Sequence, residues 1–566
     1  VDQAAALAAL TKGHPFSVVE MLQALAAGES GIPASLAEAV LARVSRAGPE
    51  AEVAMQAAAV LGGQVDPGQL AGLLDVSEIE AVHRCEGLVA ARLMNRAGLG
   101  YEFVNDLVQE VVYDATPSPV HRAHHRGAAN LLVDRPEAMA RHAEAIDDWA
   151  RAGRSWLLAG EEAMARGAAA DAALLLDKAA AAARSATDDD LLAQVLLSRS
   201  RTREALTDFT PALTDIDDAL HLAHAGGNKR LEMKALRARG GDVLVGLRHP
   251  VATWGAHLTD GLRLAGELGD RIAESDFAAR LAVLEVSRLR FDLALDHGRR
   301  AIKVARSASD DRALAIGLDG LKSIHAYLGD VDQLKIVIDE LGPLLRRLDH
   351  TWFLQWCVFE SAFLPMAAGD SRTTRQRIDE ALLLNEQTGY PAYAAFFLAH
   401  RGWFARLDGE LDTALADGKQ AVERAAAVEH PWWRATAAGL YAATLLAAGK
   451  SAEAAELAGA GCALVGETAA EGYRLRCLAP LAAAGGAPDA LRHADDLLSG
   501  VTAPPGHAWV LGADAYLCMA RAWAAAGDPA RAAAACAPLQ RATGPGHWAV
   551  LRNAADAVVA QNRSLR

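Results

Sequence analysis

A glycine followed by a polar residue stands at Gly329-Asp330, Gly369-Asp370, Gly409-Glu410 and Gly449-Lys450, 40 residues apart each time. Five residues after each glycine comes a helix-packing position, Leu334, Thr374, Ala414 or Ala454. Earlier in the chain the same step lands near Leu289, Leu247, Thr207 and Gly167, and Ala294, Ala212 and Ala172 stand at the matching offset. Later it lands on Gly485 (with Ala490) and Gly527-Asp528 (with Ala532). The ten anchors are spaced 40, 40, 42, 40, 40, 40, 40, 36 and 42 residues apart. Such a period confines the chain to a repeat architecture, because one unit cannot bury its own apolar face and must stack on its neighbours.

Each unit reads as helix, turn, helix. An apolar helix of about 15–18 residues runs into the glycine, which ends it in the left-handed region. Asp or Glu then opens a second, amphipathic helix, where its charge complements the N-terminal dipole. Small residues at the fifth position let the two helices approach closely. Composition agrees: 52% of residues are hydrophobic and only 5% aromatic, so the core is built from Ala and Leu, which suit close-packed helices. Disorder is excluded by the same figures. Length alone, 566 residues, would suggest three or four domains of about 150 residues; here it measures repeat number.

The net charge of −15 argues against nucleic-acid binding over the whole surface, and none is expected from the repeats. Six cysteines, Cys85, Cys357, Cys462, Cys477, Cys518 and Cys536, form no CxxC pair and no metal-ligand spacing. Unpaired core thiols in a reducing cytoplasm are the expectation. Charge-free runs such as Ala435–Gly449 fall short of the roughly 18 residues a membrane span needs. No charged and apolar leader opens the chain, which starts at Val1 in mid-pattern, so a piece of a longer protein is expected.

The segments "GDVDQLKIVIDEL", "GELDTALADGKQAV" and "GKSAEAAELA" resemble tetratricopeptide repeats, from about Arg141 to Ala560. The period of 40 is longer than that family's usual one and is similar to the elongated variety attached to bacterial signalling ATPases. The fold class expected is therefore all-α, a tetratricopeptide-like superhelix of about ten 40-residue helix pairs preceded by a small winged-helix-type module.

The first 140 residues carry no repeat. Helices are expected over Ser35–Arg46, with Ser35 and Glu38 as a capping box, and over Pro49–Leu61; two short helices and a hairpin near Leu93–Phe103 follow. In order, "GHPF", "IPASLAEAVLARV", "AAAVLG" and "YEFVNDLVQEVVYDATPSPVHRAHHRGAANLL" resemble the tail of a STAND-class signal-transduction ATPase. That resemblance implies residues 1–32 as the end of an ATPase lid or helical segment, 33–140 as the winged-helix-type module and 141–566 as the repeat sensor. It places the Gly13-His14-Pro15 turn against an adenine base, a role that competes with a plain helix-entry turn for Gly13 and Pro15. It also puts Asn105 where the family usually has a phosphate-sensing His, and Asn hydrogen-bonds but carries no charge.

No GxxxxGK[ST] phosphate loop occurs. The one "GKS", Gly449-Lys450-Ser451, has Thr444 where the first glycine is required and reads as a repeat turn. No cofactor is expected within the chain, with ATP or ADP held by upstream parts of a parent protein. "HRAHH" (His121, His124, His125) has no carboxylate or Cys at ligand spacing and reads as a solvated helix face, so no metal is expected. No nucleophile motif appears, and the chain is not read as an enzyme.

One departure from even composition stands out. Between Trp352 and Tyr441 lie 14 of the 30 aromatics, in 90 residues. Phe353, Tyr393 and Trp433 each precede their repeat's glycine by sixteen residues, Trp356 and Phe396 by thirteen, and Trp352 and Trp432 share a further offset. All belong to first helices, which line the concave face of tetratricopeptide superhelices. Two readings stay open, core packing or a groove for a peptide, protein or small-molecule effector. The functional expectation is a regulatory sensor and interaction region of a STAND-like transcriptional regulator, acting on upstream nucleotide-switch and output domains of the same protein. A tetratricopeptide scaffold without switching, and the regulatory half of a nucleotide cyclase, are the alternatives.

Overall fold

A computed structural model describes residues 18–19, 21–22, 34–206, 208–240, 250–388, 391–428, 430–466, 470–485, 488–542 and 547–564. Gly13 and Pro15 lie outside these residues. The chain divides into two compact units, Val1–Ser198 and Arg199–Arg566. The division falls inside the helix Asp189–Ala205, well beyond residue 140, because helix packs on helix without a break from Ser118–Leu131 through Pro136–Glu144 to Trp149–Ala165.

In the first unit, helices Ala34–Arg46 and Pro49–Leu61 are followed by β1 (Gln64–Val65), helices Pro67–Leu74 and Glu78–Ala90, then β2 (Met94–Ala97) and β3 (Gly100–Phe103). The strands form one antiparallel sheet in the order β1-β3-β2. Sequence chemistry sets these boundaries. Asp66 caps Pro67–Leu74 by accepting from the Gln69 N–H at 2.9 Å, and Ser77 caps Glu78–Ala90 by accepting from the Glu80 N–H. In β3, Tyr101 and Phe103 turn into a core with Met55, Leu70, Leu88 and Val111, while Glu102 turns out, the period-two pattern of a one-sided strand. The capping box placed on Ser35 is corrected: the helix already begins at Ala34, so Ser35 lies within its first turn.

"HRAHH" is not a solvated face either. The helix Ser118–Leu131 is covered by Pro136–Glu144 and packs on Pro49–Leu61 and Pro67–Leu74. This buries His125, whose Nδ1 lies 2.9 Å from His142 Nδ1 and whose Nε2 lies 2.9 Å from the Tyr113 hydroxyl. Both contacts are satisfied when Tyr113 donates to a neutral His125 that donates in turn to a neutral His142. Burial, then the neighbouring His142, His121 and His124, push His125 down to about 4; burial, then Arg141, does the same to His142. The unfolded chain thus binds protons near pH 6.5 that the folded chain refuses until about 4. Stability is complete above 6.5 and falls as pH drops toward 4, by on the order of 1 kcal/mol per pH unit for each imidazole. Urea unfolding of the first unit within the full chain should show this slope between pH 7 and 5, and His142→Gln should flatten it. An unchanged midpoint over that range would exclude the neutral pair.

Ten first helices follow among the described residues: Trp149–Ala165, Asp189–Ala205, Lys229–Arg239, Arg271–Ser287, Asp311–Leu328, Thr351–Ser361, Pro391–Leu407, Pro431–Ala447, Glu471–Ala483 and Ala513–Ala525. Each is followed by a second helix, such as Phe291–Ala308 or Leu411–Ala426, and Ala549–Ser564 comes last. The fold is all-α and tetratricopeptide-like. The anchors Gly167, Gly329, Gly369, Gly409, Gly449, Gly485 and Gly527 have φ between +67° and +82°, the left-handed conformation that ends a helix without a Cβ clash. Leu289, an anchor without glycine, adopts it too, at φ +58°; the anchors at Thr207 and Leu247 lie outside the described residues. Ala172, Ala212, Ala294, Leu334, Ala414, Ala454 and Ala532 are fully buried at the fifth position.

First and second helices differ in environment. Leu411–Ala426 buries one stripe, Ala414, Asp417, Gly418, Ala421 and Ala425. Arg271–Ser287 is buried nearly all round, from Glu274 to Ser287, and Pro431–Ala447 and Ala513–Ala525 are alike. The cause lies in the second unit's later part, which returns onto its earlier helices. The Phe291 N–H donates to Thr502 O at 2.8 Å, and the Thr502 N–H donates to Leu289 O at 3.0 Å. Trp548 donates from its backbone to Ala367 O at 2.8 Å and from Nε1 to Gly329 O at 2.9 Å. Arg271–Ser287 touches Glu471–Ala483, and Asp311–Leu328 touches Val510–Gly512. In this unit the chain's own later residues lie against the first helices.

Candidate functional site

The inner side of the second unit gathers aromatic and polar side chains. Trp356 lies 4.8 Å from the ring of Tyr393, 5.3 Å from Phe396, 5.1 Å from Phe397 and 5.8 Å from Trp433. Trp352 joins at its edge, 5.2 Å from Tyr393. Trp432 stacks on Tyr473 at 4.6 Å and leans on Trp254 at 5.4 Å. The 40-residue offset therefore converges in space, since equivalent positions of consecutive first helices lie side by side. Phe353 does not join; it stacks on His350 at 4.4 Å and packs among Leu344, Leu345 and Leu348 on the other side of its helix.

Exposure separates the two readings of these rings. Phe396 is 1% exposed, Trp432 6% and Tyr393 7%, against 37% for Trp352. A buried ring fills space between helices and meets no partner without repacking. Of the set, Trp352 presents the largest free surface, and Trp356, Phe353 and Trp433 are half-buried. Each well-placed ring pair adds about 0.5–1.5 kcal/mol beyond area burial, so the cluster is a stabilising seam across three repeats.

Next to the seam are charges that the sequence reading missed. Lys322 is fully buried, with Nζ 2.7 Å from Asp319 Oδ1 and 2.9 Å from Glu360 Oε2; Ser323 Oγ donates to the same Glu360 oxygen at 3.2 Å. Burial opposes the ammonium, but Asp319 and Glu360 outweigh it and hold Lys322 above its usual range. Burial raises Glu360. Arg406 donates to both carboxylate oxygens of Asp514, at 2.6 Å to Oδ2. Arg476 is buried beneath Trp509, its guanidinium carbon 5.2 Å from the ring centre. The visible signal was a charged residue inside an apolar first helix, as in "GYRLRCLAP".

Elsewhere, Asn105 is 3% exposed and its Oδ1 accepts from the Val108 N–H at 3.0 Å, capping the helix Asp106–Ala115. All six cysteines are free thiols, five of them buried, and burial pushes Cys357 up to about 11 and Cys518 to about 12. Among the described residues no three His, Cys, Asp or Glu side chains are grouped to hold a metal, and no helix is long and apolar enough to cross a membrane.

No family model matches the chain, and no curated protein matches it by sequence. Among solved structures it is similar to a signal transduction ATPase with numerous domains that has a tetratricopeptide repeat sensor, from Pyrococcus horikoshii. The identity is 13% and the TM-score 0.34, covering 100% of this chain and 72% of that one. A Rap protein complexed with competence and sporulation factor is similar at 13% identity and TM-score 0.42, over 62% of this chain and 98% of that one. Yeast Tom70 is similar at 12% identity and TM-score 0.30, over 79% and 92%. The helix-pair architecture stands on this chain's own turns and packing.

Proposed function

We propose that the chain is the sensor and protein-interaction region of a STAND-type transcriptional regulator in the cytoplasm. In this reading an effector, whether peptide, protein or small molecule, acts on residues 141–566, and residues 33–140 transmit its effect to upstream nucleotide-switch and output domains. The observation that supports it is connectivity. The order helix, β1, helix, helix, β2, β3, with β3 in the middle of the sheet, supports reading residues 33–140 as a winged-helix-type module. Forty-residue helix pairs follow it directly, the order that the resemblance implies. ATP or ADP would be held by the parent, with Gly13 and Pro15 contributing a base contact, while Asn105 is buried and caps its own helix.

A sensor coupled to a switch biases its equilibrium by differential affinity, worth about 1–3 kcal/mol, or 5- to 150-fold. Deleting residues 199–566 from the parent polypeptide should therefore change its rate of ADP release by at least about fivefold. Equal rates in the intact and shortened proteins would overturn the switch and leave the scaffold reading.

A further inference from the structure

Arg476 is 5% exposed, and neither terminal nitrogen of its guanidinium has a hydrogen-bond partner. The groups that act on it are the phenols of Tyr327 and Tyr473 and then the carboxylate of Asp514, which is engaged with Arg406. Trp509 offers a cation–π face worth about 2 kcal/mol or more when desolvated, but this leaves the N–H donors unbonded. A guanidinium does not shed its proton in proteins. An unpaired one costs several kcal/mol when buried, so a fold that retains it there calls for an anion.

Other orphan polar atoms share this interior. His400 is fully buried; its Nδ1 donates to Phe396 O at 2.9 Å, which leaves the Nε2 lone pair with nothing to accept. Burial, then the charge of Arg476, pushes His400 down to about 3, so the imidazole is neutral. Nε1 of Trp403 and of Trp509 also lack acceptors, although both rings are 1% exposed. The large majority of buried side-chain polar atoms in native interiors are paired, so orphans gathered around one cation point to a missing partner. The close helix approach at this point is itself built in: a Cβ on Gly439 would meet Arg476 O at 2.5 Å.

We propose that the interior around Arg476 binds a small hydroxycarboxylate, its carboxylate on the two terminal nitrogens of Arg476 and its hydroxyl donating to His400 Nε2. The planar two-nitrogen edge fits a carboxylate or a phosphate. The carboxylate is favoured because a single charge is cheaper to desolvate among Trp509, Trp403 and Phe396 than a double one. The site stands whether or not a nucleotide switch lies upstream, since binding is read on this chain itself.

The test is thermal unfolding of the full chain with lactate, mandelate, citrate, inorganic phosphate or chloride at matched ionic strength. A saturable rise in Tm with at least one hydroxycarboxylate, absent with chloride and lost in Arg476→Met, is expected. Without any added anion, Arg476→Met should melt no lower than wild type, because it removes an unpaired charge and keeps most of the volume. If Arg476→Met does not fold, Arg476→Lys keeps the charge without the two-nitrogen edge and should weaken binding about tenfold or more. No rise with any hydroxycarboxylate, or the same rise in the variant, overturns the site; a rise with phosphate alone overturns the ligand class.

Discussion

Asp514→Ala should lower the stability of the second unit by about 3–5 kcal/mol, the usual penalty for stranding one partner of a buried ion pair. Arg406 and Asp514 are 108 residues apart and each about a tenth exposed, so the freed guanidinium would find neither water nor another acid. Nine of the eleven tryptophans lie in the second unit, which makes their fluorescence under urea the appropriate probe. The pair itself is replaceable. Arg406→Met with Asp514→Leu should recover most of the loss, because two apolar side chains of similar size leave no charge uncompensated. A double variant as unstable as Asp514→Ala would contradict this.

Phe396→Ala should cost a similar amount, about 3–5 kcal/mol, as a large core ring replaced by a cavity. Phe396 touches His400 at 4.2 Å, Trp433 at 4.9 Å, Trp356 at 5.3 Å and Phe359 at 5.7 Å, so the hole opens in the middle of the seam. Trp352→Ala is the control, at the edge of the seam beside Tyr393 and with more than a third of its surface free. It should cost no more than about 1–2 kcal/mol. Urea midpoints by circular dichroism decide between the readings of these aromatics. If Phe396→Ala were as stable as wild type, the rings would line an open groove and their packing would carry no load.

The repeat was legible because its signals are local. A left-handed turn, an acid after it and a small residue five positions on are read from a dozen consecutive residues, and even Leu289 obeys the turn geometry without glycine. The hairpin at Met94–Phe103 was legible for the same reason. What stayed hidden depends on residues far apart in the chain. Spacing shows His121, His124 and His125 on one helix, but the group that buries and neutralises them includes His142, on the next helix. Likewise, nothing in "GYRLRCLAP" tells which arginine faces inward; Arg474 remains half-exposed while Arg476 is enclosed. The return of Thr502 to Leu289 and of Trp548 to Gly329 leaves no periodic trace.

That return has a consequence for how the chain can vary. Open solenoids are nearly additive arrays that lengthen or shorten by whole units, because each unit meets only its neighbours. Here Trp548 bonds Gly329 from 219 residues away, so the register between the two ends is fixed by the number of units between them. Deleting one 40-residue unit would move Trp548 and Asp514 out of reach of Gly329 and Arg406 together. The second unit should therefore unfold in a single transition and evolve at constant repeat number, more like a globular domain than an array.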